Sequence, residues 1–423
     1  MLPLLIVSAL CGCEVFVMAP LDLIDANCNP SFQSKFENWC NMLRSANVKG
    51  VMLDVWWGIT EPSPKNYKWS GYETVFSIMR NKGLKIIPVF SFHKCGGSVG
   101  DYVNIPLPSF VWQGSESPKF VDAYGHNEDA YISFAYDNVK VGQNNERTPL
   151  EMYKDWMTAF KAQFSNYIND GSIIEIEVGA GPCGELRYPS YRSEYWSYPG
   201  CGMFQCYDKQ FISKFQKDAA NAGHSEWNAP PSDAGDYNVR PGGSSFWNNG
   251  FKSEYGKFFL SWYQQQLIDH GSNVLSIARE LFPNTRLSCK ISGLHWQYTS
   301  ECHCAEVTAG FYNTNNNDGY GQIISMFKQH NVDVCFTCLE MHEDWGSGSN
   351  PPNLVRQILE TAKRNGLRFE GENALERYDW DAYNQIKSWV YQGLSTFTYL
   401  RMTDSLMNGG NWETFKSFVQ QMQ

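Results

Sequence analysis

The sequence predicts a (β/α)8 barrel, a TIM barrel with long loops after strands 3 and 4. Three observations carry this expectation. Eight short apolar segments recur along the 423 residues, and segments of helical period fall between them. Polar side chains then collect where the apolar segments end, which is the face that carries function in such barrels.

The strand segments come in order as residues 14–21, 50–58, 85–93, 173–179, 286–296, 332–340, 367–375 and 395–402. Several are near-continuous apolar runs, as strands covered on both faces must be. Between them, Phe32, Phe36, Trp39 and Leu43 repeat every three or four residues. So do Ile323, Ile324 and Phe327, then Leu354, Ile358, Leu359 and Ala362, then Tyr383, Ile386, Trp389 and Val390. Gly83, Gly366 and Gly393 stand just past helix ends, where a left-handed backbone favours glycine. Residues 412–422 give a last helix. An open doubly wound sheet is the alternative, but no Gly-rich phosphate fingerprint follows the first strand. Two insertions, 94–150 and 180–255, leave the C-terminal ends of strands 3 and 4 and should wall one site.

A net charge of −10 argues against nucleic acid, whose affinity rests on clustered Lys and Arg. Residues 2–10 form an apolar run followed by small residues, which reads as a signal peptide over 1–13. The expected product is a single catalytic domain over 14–423, secreted or lumenal, monomeric, and not membrane-bound, because the run is too short to span. Of 13 cysteines, 11 lie beyond residue 13. That odd number leaves at least one unpaired within the chain, and Cys28/Cys40 and Cys201/Cys206 are the pairs to test first.

Asp54, His93, Lys290, His295, Thr337, Glu340, Glu372 and Arg401 all sit near strand ends, and Glu185 follows strand 4. Singly, each is an ordinary solvated or salt-bridged residue. Together they aim polar groups from most of the strands at one face. Two carboxylates on separate strands suit glycosidic cleavage: one delivers a proton, the other activates water or attacks carbon. Glu185 and Glu372 are the best pair, against the bland pairings Glu185 with Arg187 and Glu372 with Arg377. The C-x-x-C at Cys335 and Cys338, near Cys302 and Cys304, does not spell a four-ligand metal site. The Gly-rich stretch 94–101 lacks a P-loop ending and reads as a mobile loop carrying Asp101.

The segments SFHKCGGSVGD (91–101) and EVGAGPCGELRYPSY (177–191) resemble the two signature segments of β-amylases. GVMLDVWWG, FTCLEM, GENALERYD and TYLRMTD resemble the same family, in the same order. The resemblance implies an inverting hydrolase that takes β-maltose from the non-reducing ends of α-1,4-glucans such as starch or glycogen. It implies Glu185 as general acid and Glu372 as general base. It implies Asp54, His93, Asp101, Lys290, His295, Thr337, Asn373, Ala374 and Arg401 as substrate contacts, with no cofactor and no metal. Asp101 would lie on a closing loop and Thr337 on an inner loop. Ser98, Cys183, Glu376 and His342 depart from the usual family residues. An endo-acting barrel glycosidase and a catalytically silent glucan-binding protein are the competing expectations. An exo enzyme frees sugar with little early loss of viscosity, and only an enzyme releases maltose.

Overall fold

The computed structural model describes residues 12–423. The expected signal peptide therefore lies outside the described residues, except for its last two positions. Eight strands form the frame: β1 (Glu14–Met18), β2 (Gly50–Trp56), β3 (Lys85–Ser91), β4 (Glu175–Val178), β5 (Arg286–Ile291), β6 (Asp333–Phe336), β7 (Phe369–Glu372) and β8 (Leu394–Tyr399). They close a barrel in the order β1-β8-β7-β6-β5-β4-β3-β2, with every pairing parallel. All eight expected segments are strands, but most end earlier than their apolar runs do. Trp57 and Ile59, and likewise Leu294 and Trp296, stay buried after the backbone has left the ladder. Burial continues into the loops, so hydrophobicity alone overshoots the strand ends.

Eight helices surround the barrel: α1 (Gln33–Ser45), α2 (Ser70–Asn81), α3 (Pro149–Asn169), α4 (Glu254–Leu281), α5 (Gly319–Gln329), α6 (Pro351–Arg364), α7 (Trp380–Val390) and α8 (Gly409–Met422). The periodic residues named from sequence are the buried face of α1, α5, α6 and α7, except that Phe32 precedes α1 and Val390 is half-buried. Thr148 starts α3 with a capping box: its hydroxyl accepts from Glu151 N, while Glu151 accepts from Thr148 N. Helix α4 is harder to read because its buried face includes Gln264 and His270. Gln264 donates to Gln322 at 3.0 Å, and His270 Nδ1 meets Asp137 at 2.8 Å. Buried polar groups thus interrupt the apolar stripe, each partnered by at least one hydrogen bond although His270 Nε2 has none among the described residues.

Strand side chains alternate between the helix layer and the barrel interior. The interior is divided. Phe16, Met18, Met52, Ile87 and Val89 of β1–β3 form a small apolar cluster. The strands opposite send in Glu175, Glu177, Ser288, Lys290, Glu370 and Glu372, all buried. Gly50 is required on the apolar side: a Cβ there would lie 2.7 Å from the Phe16 ring and 2.1 Å from the Lys85 carbonyl oxygen.

The first insertion runs from β3 to α3 and carries a hairpin of Phe120–Val121 with Asn127–Glu128. The second, from β4 to α4, carries an additional helix, Lys209–Asn221. Neither expected cysteine pair forms. Cys201 is bonded to Cys304, which ties the second insertion to the segment after β5, while Cys28, Cys40 and Cys206 are free and buried. Proximity in sequence misled here, because the fold brings together residues 103 positions apart.

Candidate active site

The mouth at the C-terminal strand ends gathers most of the expected residues. After β4 the chain makes a short turn, Pro182–Gly184, then presents Glu185 in extended conformation beside Lys290. Gly184 has φ of +75°, a left-handed backbone that favours glycine, and a Cβ there would come within 3.4 Å of the His93 ring. Glu185 accepts a hydrogen bond from Arg187 Nε at 2.6 Å. The pairing with Arg187 that sequence offered as the bland alternative is therefore real, and it holds the carboxylate in place. Arg187 is itself fixed by the Tyr188 carbonyl, by Cys183 Sγ at 3.2 Å and by the Tyr191 ring at 4.4 Å.

Glu372 ends β7 and is buried. Lys290 Nζ approaches its Oε2 at 2.8 Å and lies 3.3 Å from Glu177 Oε1. Glu372 Oε1 is buried without a hydrogen-bonding partner among the described residues. Burial pushes the Glu372 carboxyl above its ordinary range, while Lys290 and Arg401 pull it back. The alternative pairing of Glu372 with Arg377 does not form: Arg377 bonds Asp379 and Asp381 instead.

Lys290 thus joins two carboxylates beneath the mouth. Burial opposes its charge, but Glu177 and Glu372 outweigh burial and keep it protonated. The part played by Glu177 escaped the sequence reading. Its signal was nonetheless present: Glu175 and Glu177 sit two apart in a strand of four, so both share one face, opposite the apolar Ile176 and Val178.

His93 is buried with Nδ1 unpartnered among the described residues, and its ring packs edge-on against Trp56. Burial, then the cations Lys290, Arg187 and Arg401, lower its pKa to about 3, so it stays neutral. His295 pairs through Nδ1 with Ser349 Oγ at 2.7 Å, and burial lowers its pKa to about 4. Asp54 accepts from Ser91 Oγ at 2.8 Å and lies 3.8 Å from Arg401. Arg401 also donates to the Ala19 carbonyl at 2.8 Å.

Other expected contacts are engaged elsewhere. Asp101 is folded onto its own loop, where Oδ2 accepts from the Gly96 and Ser98 amides at 2.7 and 3.0 Å. Asn373 spends its side chain on the Leu375 and Leu400 backbone, so it braces β7 against β8. The Ala374 amide donates to Glu340. Glu340 is wholly buried and takes the Leu375 amide too, which fastens the inner loop carrying Thr337 to the end of β7.

Glu177 makes stability depend on pH. Burial first, then Glu372, raise its pKa from an ordinary 4.5 to about 7 against the pull of Lys290. The folded chain therefore holds a proton that the unfolded chain releases near pH 4.5. The contribution is complete below that pH and is lost as pH rises through about 7. Urea midpoints at pH 5 and pH 8 will differ less in Glu177→Gln than in the unmodified protein. An equal difference in both would rule Glu177 out as the source.

A parallel barrel that brings an acid just after β4 and another at the end of β7 to one mouth, with fixed cations behind them, defines a glycoside hydrolase. The chain belongs to glycosyl hydrolase family 14, whose match covers residues 16–423. It is 42% identical to the Arabidopsis thaliana protein named "Beta-amylase 2, chloroplastic", over 96% of this chain and 79% of that one. It is 42% identical to a Vigna unguiculata β-amylase, over 96% and 86%. The crystal structure of the catalytic domain of a Paenibacillus polymyxa β-amylase superposes with a TM-score of 0.83 at 30% identity, covering 97% of this chain and 98% of that one. These relatives correct one expectation. The Arabidopsis thaliana protein above and two further relatives, "Beta-amylase 1, chloroplastic" of Arabidopsis thaliana (41% identical) and "Beta-amylase 2, chloroplastic" of Oryza sativa (40% identical), have names that place them in the chloroplast, which contradicts the secreted or lumenal location read from residues 2–10.

Proposed function

We propose that this chain hydrolyses α-1,4-glucosidic bonds of starch-type glucans from the non-reducing end, as a monomeric catalytic domain over 14–423, and releases β-maltose. Glu185 is the general acid and Glu372 the general base. The observation that carries this reading is the asymmetry of Glu372: Lys290 holds one oxygen, and the other is a buried acceptor with no protein partner among the described residues. Such an oxygen can take a proton from water. The hydroxide equivalent adds to the anomeric carbon while Glu185 gives its proton to the departing glycosidic oxygen. One C–O bond forms opposite the one that breaks, so configuration inverts. Arg187 stabilises the carboxylate that remains on Glu185 after transfer.

His93 and His295, both neutral, hydrogen-bond sugar hydroxyls without adding charge. Asp101 reaches the sugar only by exchanging its bonds to Gly96 and Ser98, and the positive φ of Gly96, Gly97 and Gly100 suits that rearrangement. The chloroplastic relatives favour a plastid as the place of action. Proton NMR of maltopentaose digestion will show maltose appearing first as the β-anomer. Maltose appearing first as the α-anomer, or no maltose at all, would refute the proposal.

A further inference from the structure

Outside the mouth, a basin of about 470 Å³ opens between the segments that follow β5 and β6. These two segments run side by side. Gln297 N donates to the Ser347 carbonyl, Thr299 N to the Gly348 carbonyl, and Asn350 N to the His295 carbonyl, each at 3.0–3.1 Å. His295 and Ser349 bond each other within this double wall, and His295 is an expected substrate contact. Tyr298, Thr299 and Asn350 line the basin. The basin is therefore separate from the catalytic mouth and shares a wall with it.

Its chemistry is specific. Trp345 lines it and is 75% exposed, the most exposed large aromatic among the described residues. None of the lining residues is Asp, Glu, Lys or Arg. The floor is rigid: buried Glu306 is bonded by His303, Asn313 and Tyr320, and Gln357 ties Asn313 to Tyr298. The amide nitrogens of Asn315 and Asn353 donate to no protein acceptor among the described residues, although the oxygens of both are engaged. The one histidine in the lining, His303, is turned onto buried Glu306, which balances its charge, so a bare indole and amide donors dominate the basin and favour a neutral occupant over phosphates and charged peptides. The basin fits a neutral polyol with an apolar face, which is a pyranose: C–H groups cover the ring and the hydroxyl rim meets the amides.

We infer that this basin is a second binding site for α-1,4-glucan, which holds a polymer chain beside the mouth while a chain end is cut. The inference rests on the glucan reading above. Its benefit appears only with polymers, because a chain anchored at the basin delivers its ends at high effective concentration, whereas a short oligosaccharide occupies the mouth alone.

Trp345→Ala tests the inference. In glycogen-containing polyacrylamide gels, on a Glu372→Gln background that prevents digestion, the substitution should remove at least about half of the retardation. In the catalytically intact enzyme, Trp345→Ala should lower kcat/KM on amylopectin about three- to tenfold and leave kcat/KM on maltopentaose unchanged. An Asn315→Ala/Asn353→Ala variant should act in the same direction. Unchanged retardation and unchanged amylopectin kinetics would overturn the basin. So would an equal loss on maltopentaose, which would make Trp345 part of the mouth. Failure of the unsubstituted protein to release maltose from maltopentaose is a different result, and it would refute the glucan reading itself.

Discussion

Glu372→Gln will lower kcat on maltopentaose by roughly 10²–10⁴-fold, and Glu185→Gln by a similar factor, the usual worth of a positioned proton transfer. The two losses have different causes, and a substrate can separate them. Fluoride leaves without a proton, so α-maltosyl fluoride needs no general acid. Glu185→Gln should therefore recover most of its rate on that substrate, while Glu372→Gln should not, because water must still be activated. Equal loss on both substrates for Glu185→Gln would sink the acid assignment. A Glu372→Gln enzyme with near-normal turnover would sink the base. Circular dichroism on both variants keeps the comparison fair, since Gln at 372 also loses the charge that faces Lys290 at 2.8 Å.

Lys290→Met will be the most destabilising substitution at the mouth. It removes the cation that lies between Glu177 and Glu372, at 3.3 and 2.8 Å, and leaves two buried carboxyls facing each other. Breaking a buried pair by deleting one partner costs about 3–5 kcal/mol, because the surviving charge has lost its compensation. The chain will respond by protonating the carboxyls, so Glu372 becomes acidic where a base is needed and activity disappears at neutral pH. Adding Glu177→Gln should restore part of the stability and none of the turnover, a coupling that a double-mutant cycle reads directly. Urea midpoints are the measurement. A single variant within about 0.5 kcal/mol of the unmodified protein would show that the pair carries no such burden.

The frame was legible because a barrel strand declares itself twice, as an apolar run and as a polar residue at its end. Asp54, His93, Lys290 and Glu372 are found that way, and the structure places them at the mouth or, for Lys290, just beneath it. The motifs named Asn373 as well, but not its actual engagement with Leu400, since a hydrogen bond across 27 residues leaves no local trace. The same limit hid the Cys201–Cys304 link. Glu177 was missed for the opposite reason. Its trace is local, an acid alternating inward in β4, but a charge inside a barrel is expensive enough that sequence reading discounts it until a partner such as Lys290 is seen.

The divided barrel interior bears on how this enzyme can be altered. Proton transfer depends on Glu177, Lys290 and Glu372, where any exchange disturbs several ionisations at once. Phe16, Met18, Met52, Ile87 and Val89 touch none of that chemistry through a hydrogen bond or ion pair, and they answer only to volume and shape. Directed evolution for heat tolerance has its open ground there: volume-conserving exchanges among these five can stiffen the scaffold while the titrating side of the same barrel is left alone.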